Sequence, residues 1–170
     1  VTPQTGIGYF EYSWPLGTYI YIRADGSIDP PTAPISTVDN VTYTFTDNIY
    51  DPIVVERDNI VVDGASYTLQ KTGEYLYTGI SLSARSNITI KNTKIKGFWY
   101  GIQLGSSCTI SGNHLTDNWH GIGPGGHNNT VTGNTITVNV GTLIEGTGVE
   151  LYGSTNNTIS ENTISQNSMG

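Results

Sequence analysis

Apolar residues alternate with Thr, Ser or Lys along most of the chain after residue 58, with the period of two that is typical of β-strands. One short phrase recurs, as SNITIKNTKI at 86–95, SCTISGNHL at 107–115, NTVTGNTI at 129–136 and NTISENTI at 157–164. Helical spacing is nowhere sustained. The pattern therefore predicts repeated short strands.

Aligning the phrases produces three columns of similar residues. They are a first apolar column of Ile90, Ile110, Val131 and Ile159, a polar column of Thr93, Asn113, Asn134 and Asn162, and a second apolar column of Ile95, Leu115, Ile136 and Ile164. Strands in neighbouring coils of a solenoid lie about 4.8 Å apart, so like residues should stack directly on one another. We expect the Asn column to form a structural ladder of side-chain amides that hydrogen-bond from coil to coil.

The first apolar column advances by 20, 21 and 28 residues, and a 28-residue step backwards from Ile90 reaches Val62. Residues 59–69 are therefore interpreted as an earlier coil, with Tyr67 in the second apolar column. A Gly-apolar-x-apolar unit recurs between the phrases, at 79–82, 101–104, 121–124 and 148–151, and its glycines suggest a second, left-handed corner. Because each unit is too short for a crossover helix, the strands must stack in parallel. This predicts an all-β fold, a parallel β-helix or β-solenoid.

The coils are predicted to occupy residues 58–170 as one continuous domain, with residues 1–57 as an irregular β-rich N-terminal cap that contains the first strands and joins the first coil. Excursions at 70–78 and 138–147 should form loops on the outside of the tube. The last coil ends without a visible cap. Either another molecule covers it, or the chain is a fragment whose further coils were removed.

Composition narrows the range of functions. Only 12% of residues are charged, the net charge is −7, and basic residues stop at Lys96. A nucleic-acid partner would need a basic face, which cannot be assembled here. There is no apolar run of about 20 residues that would form a membrane span.

A column of aromatic residues is the main candidate for a binding site. Tyr77, Trp99 and Trp119 lie two residues before the repeated glycines, with Tyr100 and His120 beside them. Stacked rings on the outside of a solenoid would suit the apolar faces of sugars. The alternative is a ladder of rings that packs under a loop or inside a corner.

No catalytic constellation is visible, which favours a non-enzyme. Glycoside hydrolysis needs two carboxylates roughly 5–10 Å apart, and the column that holds Glu150 has no second acid. His114, His120, His127 and Cys108 have no metal-ligand spacing. We therefore expect no metal site and no cofactor.

Four Asn-x-Thr sequons begin at Asn40, Asn87, Asn128 and Asn156. They are candidates for glycosylation of a secreted protein. The alternative is that Asn-x-Thr is the turn chemistry of the repeat.

The phrases NTVTGNTI and NTISENTI, together with GIQL and GVEL, resemble the repeat of NosD-like periplasmic copper-accessory proteins and of the wider family of carbohydrate-binding and sugar-hydrolysing β-helix domains. YIYIRADGSIDPPTAPI and VVERDNIVVDGASYTL look like the N-terminal region of archaeal surface proteins that carry these repeats. The resemblance covers about residues 18–167. It implies a right-handed parallel β-helix that is extracellular or on the cell surface, and no catalytic residue of the family falls on a matching position.

Three functional hypotheses follow. The first is a non-catalytic structural or adhesive surface module whose open C-terminal coil binds other copies of itself or further β-helix coils, with head-to-tail contacts that build a filament. The second is a domain that binds or cleaves polysaccharide through the aromatic column. The third is copper handling, as in NosD-like proteins.

Overall fold

A computed structural model describes residues 18–71, 77–139 and 146–169. Parts of the two predicted excursions, 72–76 and 140–145, lie outside the described residues, as do residues 1–17 of the predicted cap and Gly170. The described chain contains 18 short strands. They are β1 (Ile20–Ile22), β2 (Ile28–Asp29), β3 (Ile35–Ser36), β4 (Thr42–Phe45), β5 (Ile53–Val55), β6 (Val61–Asp63), β7 (Thr68–Gln70), β8 (Thr78–Ser81), β9 (Thr89–Lys91), β10 (Lys94–Lys96), β11 (Tyr100–Gln103), β12 (Thr109–Ser111), β13 (His114–Thr116), β14 (His120–Gly123), β15 (Thr130–Thr132), β16 (Thr135–Thr137), β17 (Thr158–Ser160) and β18 (Thr163–Ser165).

The strands form three sheets, and each full coil adds one strand to each sheet. The first sheet has the order β14-β11-β8-β5-β1-β2, the second β17-β15-β12-β9-β6-β4-β3 and the third β18-β16-β13-β10-β7. All neighbours pair in parallel except two, β1 with β2 and β3 with β4. The fold is a right-handed parallel β-helix, as predicted.

The predicted register of the two apolar columns is confirmed. Ile110 pairs with Ile90 and Val131, and Leu115 pairs with Ile95 and Ile136. These six side chains are fully buried in the tube. Stacked aliphatic side chains therefore form a continuous core along the axis.

The placement of Tyr67 in the second apolar column is wrong. Leu69 pairs with Ile95 instead, and Tyr67 is exposed. The turn before β7 contains two additional residues, Ala65 and Ser66, which both adopt a positive φ. These residues lengthen the turn and shift the strand by two positions.

The predicted left-handed corner at the repeated glycines is also wrong. Gly79, Gly101 and Gly121 lie inside strands and are buried. A Cβ on Gly101 would lie 2.6 Å from the carbonyl oxygen of Gly121. The absence of a side chain is thus required by the close approach of neighbouring coils, and a left-handed backbone is not involved.

Antiparallel strands lie across the N-terminal end of the tube. β2 is the terminal strand of the first sheet and β3 of the second. β1 and β4 lie within the segment predicted as the cap but pair in parallel with β5 and β6. The parallel coils consequently begin before residue 58.

The C-terminal coil is more exposed to solvent than the N-terminal end of the tube. β17 and β18 pair with β15 and β16 on one side only. Ile159, whose column is fully buried in the preceding coils, is 37% exposed here. The described structure therefore leaves apolar surface and two strand edges uncovered.

Candidate functional site

The parallel pairing of β11 with β14 brings four rings together on the outside of the first sheet. Tyr100 is paired with His120, and each ring is preceded by a tryptophan at the turn that enters its strand. We call Trp99, Tyr100, Trp119 and His120 the aromatic cluster. It is the closest grouping of the residues that the sequence suggested for carbohydrate binding.

The rings of the aromatic cluster contact one another in two ways. The ring centroids of Trp99 and Trp119 are 4.2 Å apart with an interplanar angle of 43°. Tyr100 and His120 stack at 4.8 Å and 24°. Trp99 meets both of these rings edge-on, at 6.2 Å from Tyr100 and 5.5 Å from His120. Both geometries are favourable for aromatic pairs.

A glycine makes room for the Tyr100 ring. An added Cβ on Gly123 would lie 2.2 Å from Cδ1 of Tyr100. Gly123 replaces the outward side chain that the other coils carry at this position, such as Gln103. The ring of Tyr100 therefore lies over the backbone of the following coil.

His120 is 8% exposed and contacts two polar groups from the next coil. Its Nδ1 lies 2.9 Å from Oγ1 of Thr147 and 3.8 Å from Oε2 of Glu150. Burial lowers the pKa of His120 below its usual value, and the neighbouring Glu150 carboxylate offsets part of that shift. The imidazole is therefore neutral at pH 7.

Trp119 brings a polar atom without a partner to the aromatic cluster. Its Nε1 is buried and has no hydrogen-bond acceptor among the residues that the structure describes. A buried, unsatisfied N–H is costly and calls for an explanation. This atom has almost no accessible surface, so a ligand on the outside of the rings does not reach it.

Tyr77 lies one coil before the aromatic cluster and has contacts of its own. Its ring meets that of Tyr19 edge-on at 5.5 Å, and Nζ of Lys71 lies 4.3 Å from its centroid. The backbone carbonyl of Tyr77 accepts a hydrogen bond from the backbone N–H of Trp99 at 2.8 Å. The aromatic surface thus extends from Tyr19 through Tyr77 towards the two tryptophans.

The four sequon asparagines occupy exposed turns. Asn40, Asn87, Asn128 and Asn156 all have φ between 53° and 62°. Asn is one of the few residues that adopt this conformation readily. The positions meet the structural requirements of both sequence interpretations, turn chemistry and glycosylation.

Side-chain amides fill the corner between the second and third sheets. Asn113 Nδ2 donates to Oδ1 of Asn134 at 3.1 Å, and Asn134 Nδ2 donates to Oδ1 of Asn162 at 2.9 Å. At the first step of the ladder the backbone N–H of Thr93 donates to Oδ1 of Asn113. The ladder residues themselves do not have a positive φ, whereas Gly112 and Gly133, which precede two of them, do.

Two further amide ladders were missed by the sequence analysis. One contains Asn118, Asn139 and Asn167, and the other contains Asn129 and Asn157. Their spacings of 21 and 28 residues match those of the apolar columns, so the signal was present in the sequence. In earlier coils the same corners hold apolar side chains. Phe98 N–H donates to Asn118 Oδ1, and Cys108 N–H donates to Asn129 Oδ1.

The histidines and the cysteine do not come together. Cys108 is buried, with its thiol 3.4 Å from the carbonyl oxygen of Ser106. His127 contacts Thr155, and His114 is exposed in the third sheet between Lys94 and Thr135. In the part of the chain that the structure describes, no three His, Cys, Asp or Glu side chains are grouped so that they could hold a metal ion. The described residues also contain no helix of the length and apolarity needed to cross a membrane.

Comparison with known proteins identifies a family. Neither the curated proteins nor the solved structures include a significant match to this chain. A family model described as periplasmic copper-binding protein (NosD) matches residues 12–170, which is nearly the whole sequence. Together with the three parallel sheets, this match shows that the chain belongs to the NosD family of parallel β-helix proteins.

Proposed function

We propose that this protein is a non-catalytic adhesive module on the outer side of the cytoplasmic membrane, and that it binds polysaccharide through the aromatic cluster. The observation behind the proposal is the pairing of two tryptophans with a stacked tyrosine and histidine on the outside of consecutive coils. The periplasmic description of its family and the low content of charged residues support the location.

The chemistry of the aromatic cluster suits a sugar. Aromatic rings combine a large apolar face with polar atoms at their edge, and a pyranose has the complementary combination of C–H faces and hydroxyl groups. The Glu150 carboxylate beside His120 is partly exposed and can accept hydrogen bonds from sugar hydroxyl groups. Stacking would place the sugar, and hydrogen bonds to this carboxylate would fix its orientation.

Alanine variants of the aromatic cluster test the proposal. Trp99→Ala and Tyr100→Ala should each weaken binding to the best ligand of a glycan array by about fivefold or more, because each removes a ring face worth at least ~1 kcal/mol. Tyr152→Ala is the matched control, since Tyr152 is 87% exposed and has no ring contact in the described residues. Circular dichroism checks that each variant is folded. Absence of glycan binding by the parent protein, or equal loss in the Tyr152 variant, would contradict the proposal.

A second candidate role is self-assembly through the open C-terminal coil. Ile159 is exposed there, and β17 and β18 have unpaired edges. The three amide ladders end at this coil with Asn157, Asn162 and Asn167, whose own N–H groups meet no further amide in the described residues. Edges of this kind promote the addition of another chain. We propose that the occupant is a second copy of this protein.

The structure makes the geometry of that assembly testable. Because β2 and β3 lie across the N-terminal edges of two sheets, a head-to-tail filament would require the C-terminal coil to pair with these short strands. Two C-terminal coils that meet each other would form a closed dimer instead. Sedimentation and negative-stain images would distinguish filaments from dimers, and Ile159→Lys should abolish either. Monomers alone at concentrations of about 100 μM would remove this role, since a useful interface binds at least that tightly.

Copper binding is the property by which the family is described. The residues described here do not fit a copper site, because no three of their His, Cys, Asp or Glu side chains are grouped together, and His120 beside Glu150 supplies only two. Two ligands are too few for a stable protein site for this metal. We therefore do not propose copper binding for the described coils.

A further inference from the structure

A cleft lies at the corner where the strands of the first sheet end, on the side opposite to the aromatic cluster. Its volume is about 440 Å³, and three successive coils contribute to it with residues 83–86, 103–106 and 124–127. We call it the corner cleft. This volume is within the usual range for small-molecule sites.

Glycines create the floor of the corner cleft. A Cβ on Gly125 would lie 2.1 Å from the carbonyl oxygen of Leu104, and one on Gly126 would lie 2.0 Å from that of Gly105. A Cβ on Gly105 would in turn lie 2.2 Å from the carbonyl oxygen of Arg85. The backbones of the three coils therefore pack against one another without side chains between them. The surface left above them is open to a ligand.

Hydrogen-bond donors dominate the walls. Arg85 contributes a guanidinium whose Nη1 donates to the carbonyl oxygen of Glu56 at 3.3 Å, which is its one side-chain hydrogen bond within the described residues. The amide oxygen of Gln103 accepts from the hydroxyl of Ser81, so its NH₂ group remains as a donor. Nδ1 of His127 is engaged by Thr155, which leaves Nε2 as the free ring nitrogen. Ser83, Ser86 and Ser106 add hydroxyl groups.

No carboxylate lines the cleft, although the protein has a net charge of −7. Among the described residues, no Asp or Glu oxygen lies within 4 Å of the Arg85 guanidinium, whereas Arg23 is paired with both Asp29 and Glu56. Asp58 is engaged at the backbone beside the cleft, where its Oδ1 accepts a hydrogen bond from Ser86 N–H at 2.8 Å. An arginine without a counter-ion, in a cleft of donors, is the arrangement that binds an oxyanion.

We propose that the corner cleft binds a small ligand that carries a carboxylate or a phosphate group, with Arg85 as its counter-ion. Arg85 binds the anionic oxygens, Gln103 and the serine hydroxyls donate to the remaining ones, and the glycine floor admits the body of the ligand. The site is separate from the aromatic cluster and independent of the function proposed for it. The shared oxyanion chemistry leaves two sources, a free phosphate compound and a carboxylate such as that of an acidic sugar.

Titrations followed by amide NMR test this assignment. Inorganic phosphate and glucuronate are added separately to the ¹⁵N-labelled protein, with chloride at equal ionic strength as the reference. We expect saturable shifts at residues 83–86, 105–106 and 125–127 for at least one of the two anions. The anion that binds more tightly identifies the source. Shifts spread over the whole surface, or no shift with either anion, would overturn the proposal.

Charge-matched variants separate the cleft from general electrostatics. Arg85→Gln should weaken binding of the anion with the higher affinity by about tenfold or more, because a charge-assisted pair is lost. Gln103→Leu should weaken it by about threefold to tenfold, through loss of a neutral hydrogen bond. Lys94→Gln removes the same charge from the exposed face of the third sheet and should leave affinity unchanged. Equal weakening by Lys94→Gln and Arg85→Gln would show binding to the overall field of the protein and would contradict a specific site.

Discussion

The side-chain amide of Asn113 donates a hydrogen bond to that of Asn134 at 3.1 Å, although 21 residues separate them in the sequence. Both residues are almost fully buried. Asn134 Nδ2 also donates to the carbonyl oxygens of Ile110 and Thr132, and its Oδ1 also accepts from Asn113 N–H. A single side chain thus satisfies polar groups in two neighbouring coils, inside a tube from which water is excluded.

Asn134→Ala should therefore be strongly destabilising. The variant would leave several buried donors and acceptors unpaired, at ~1–3 kcal/mol each, so we expect the free energy of unfolding to fall by about 3 kcal/mol. Chemical denaturation provides the measurement. Lys94→Ala, on an exposed face, is the control and should change the free energy of unfolding by less than about 0.5 kcal/mol. Similar losses in the two variants would show that the ladder adds nothing specific.

Two glycines should respond differently to substitution, because they are required for different reasons. Gly101→Ala places a Cβ 2.6 Å from the Gly121 carbonyl oxygen and should cost about 1–3 kcal/mol through overpacking. Gly133 has a φ of 64° and open space around it, so Gly133→Asn should be nearly neutral, because Asn tolerates that conformation. Thermal unfolding of both variants compares them. The reverse order of stability would refute this explanation.

The stability of the protein should depend on pH through His120. Its pKa is lowered in the folded state, so between that value and the usual 6.5 the unfolded chain binds more protons than the native one. The free energy of unfolding should accordingly decrease as the pH falls below about 6.5. His120→Gln should reduce this slope. An unchanged slope in that variant, measured between pH 7 and 5, would assign the effect to other groups.

Cys108 should be unreactive in the folded protein. Its thiol is buried, and burial raises its pKa, so little thiolate exists at pH 8. A thiol reagent should label it at least about 100-fold more slowly than in denaturant, because labelling requires opening of the coil. Rapid labelling of the native protein would mean that this corner opens readily.

The apolar columns could be predicted from sequence because they repeat the same residue types at nearly constant spacing. Tyr67 was misplaced since the count from Val62 assumed a standard turn, and only the backbone shows the additional Ala65 and Ser66. Gly101 was recognised as special but for the wrong reason, because the approach of the next coil is a three-dimensional fact. Turn conformation and coil-to-coil distance therefore limit what a repeat pattern can predict.

Some features of the candidate sites could likewise be predicted from the sequence, and others could not. Trp99, Trp119, Tyr100 and His120 could be grouped from their spacing alone. The contact of His120 with Glu150 could not, because it depends on the direction in which the Glu150 side chain leaves its strand. The corner cleft could not be predicted, because its glycine floor forms only where the backbones of consecutive coils meet.

The hydrogen bonds that the ladder amides accept from backbone N–H groups all have the same direction along the tube. In each case the Asn oxygen accepts from the backbone N–H of the coil that precedes it in sequence. A coil therefore has its corner N–H groups satisfied only after its successor is in place. Ribosomal synthesis presents the coils in that order, N-terminal coil first. The fold thus has a built-in polarity of assembly, in which every newly synthesised turn completes the one made just before it.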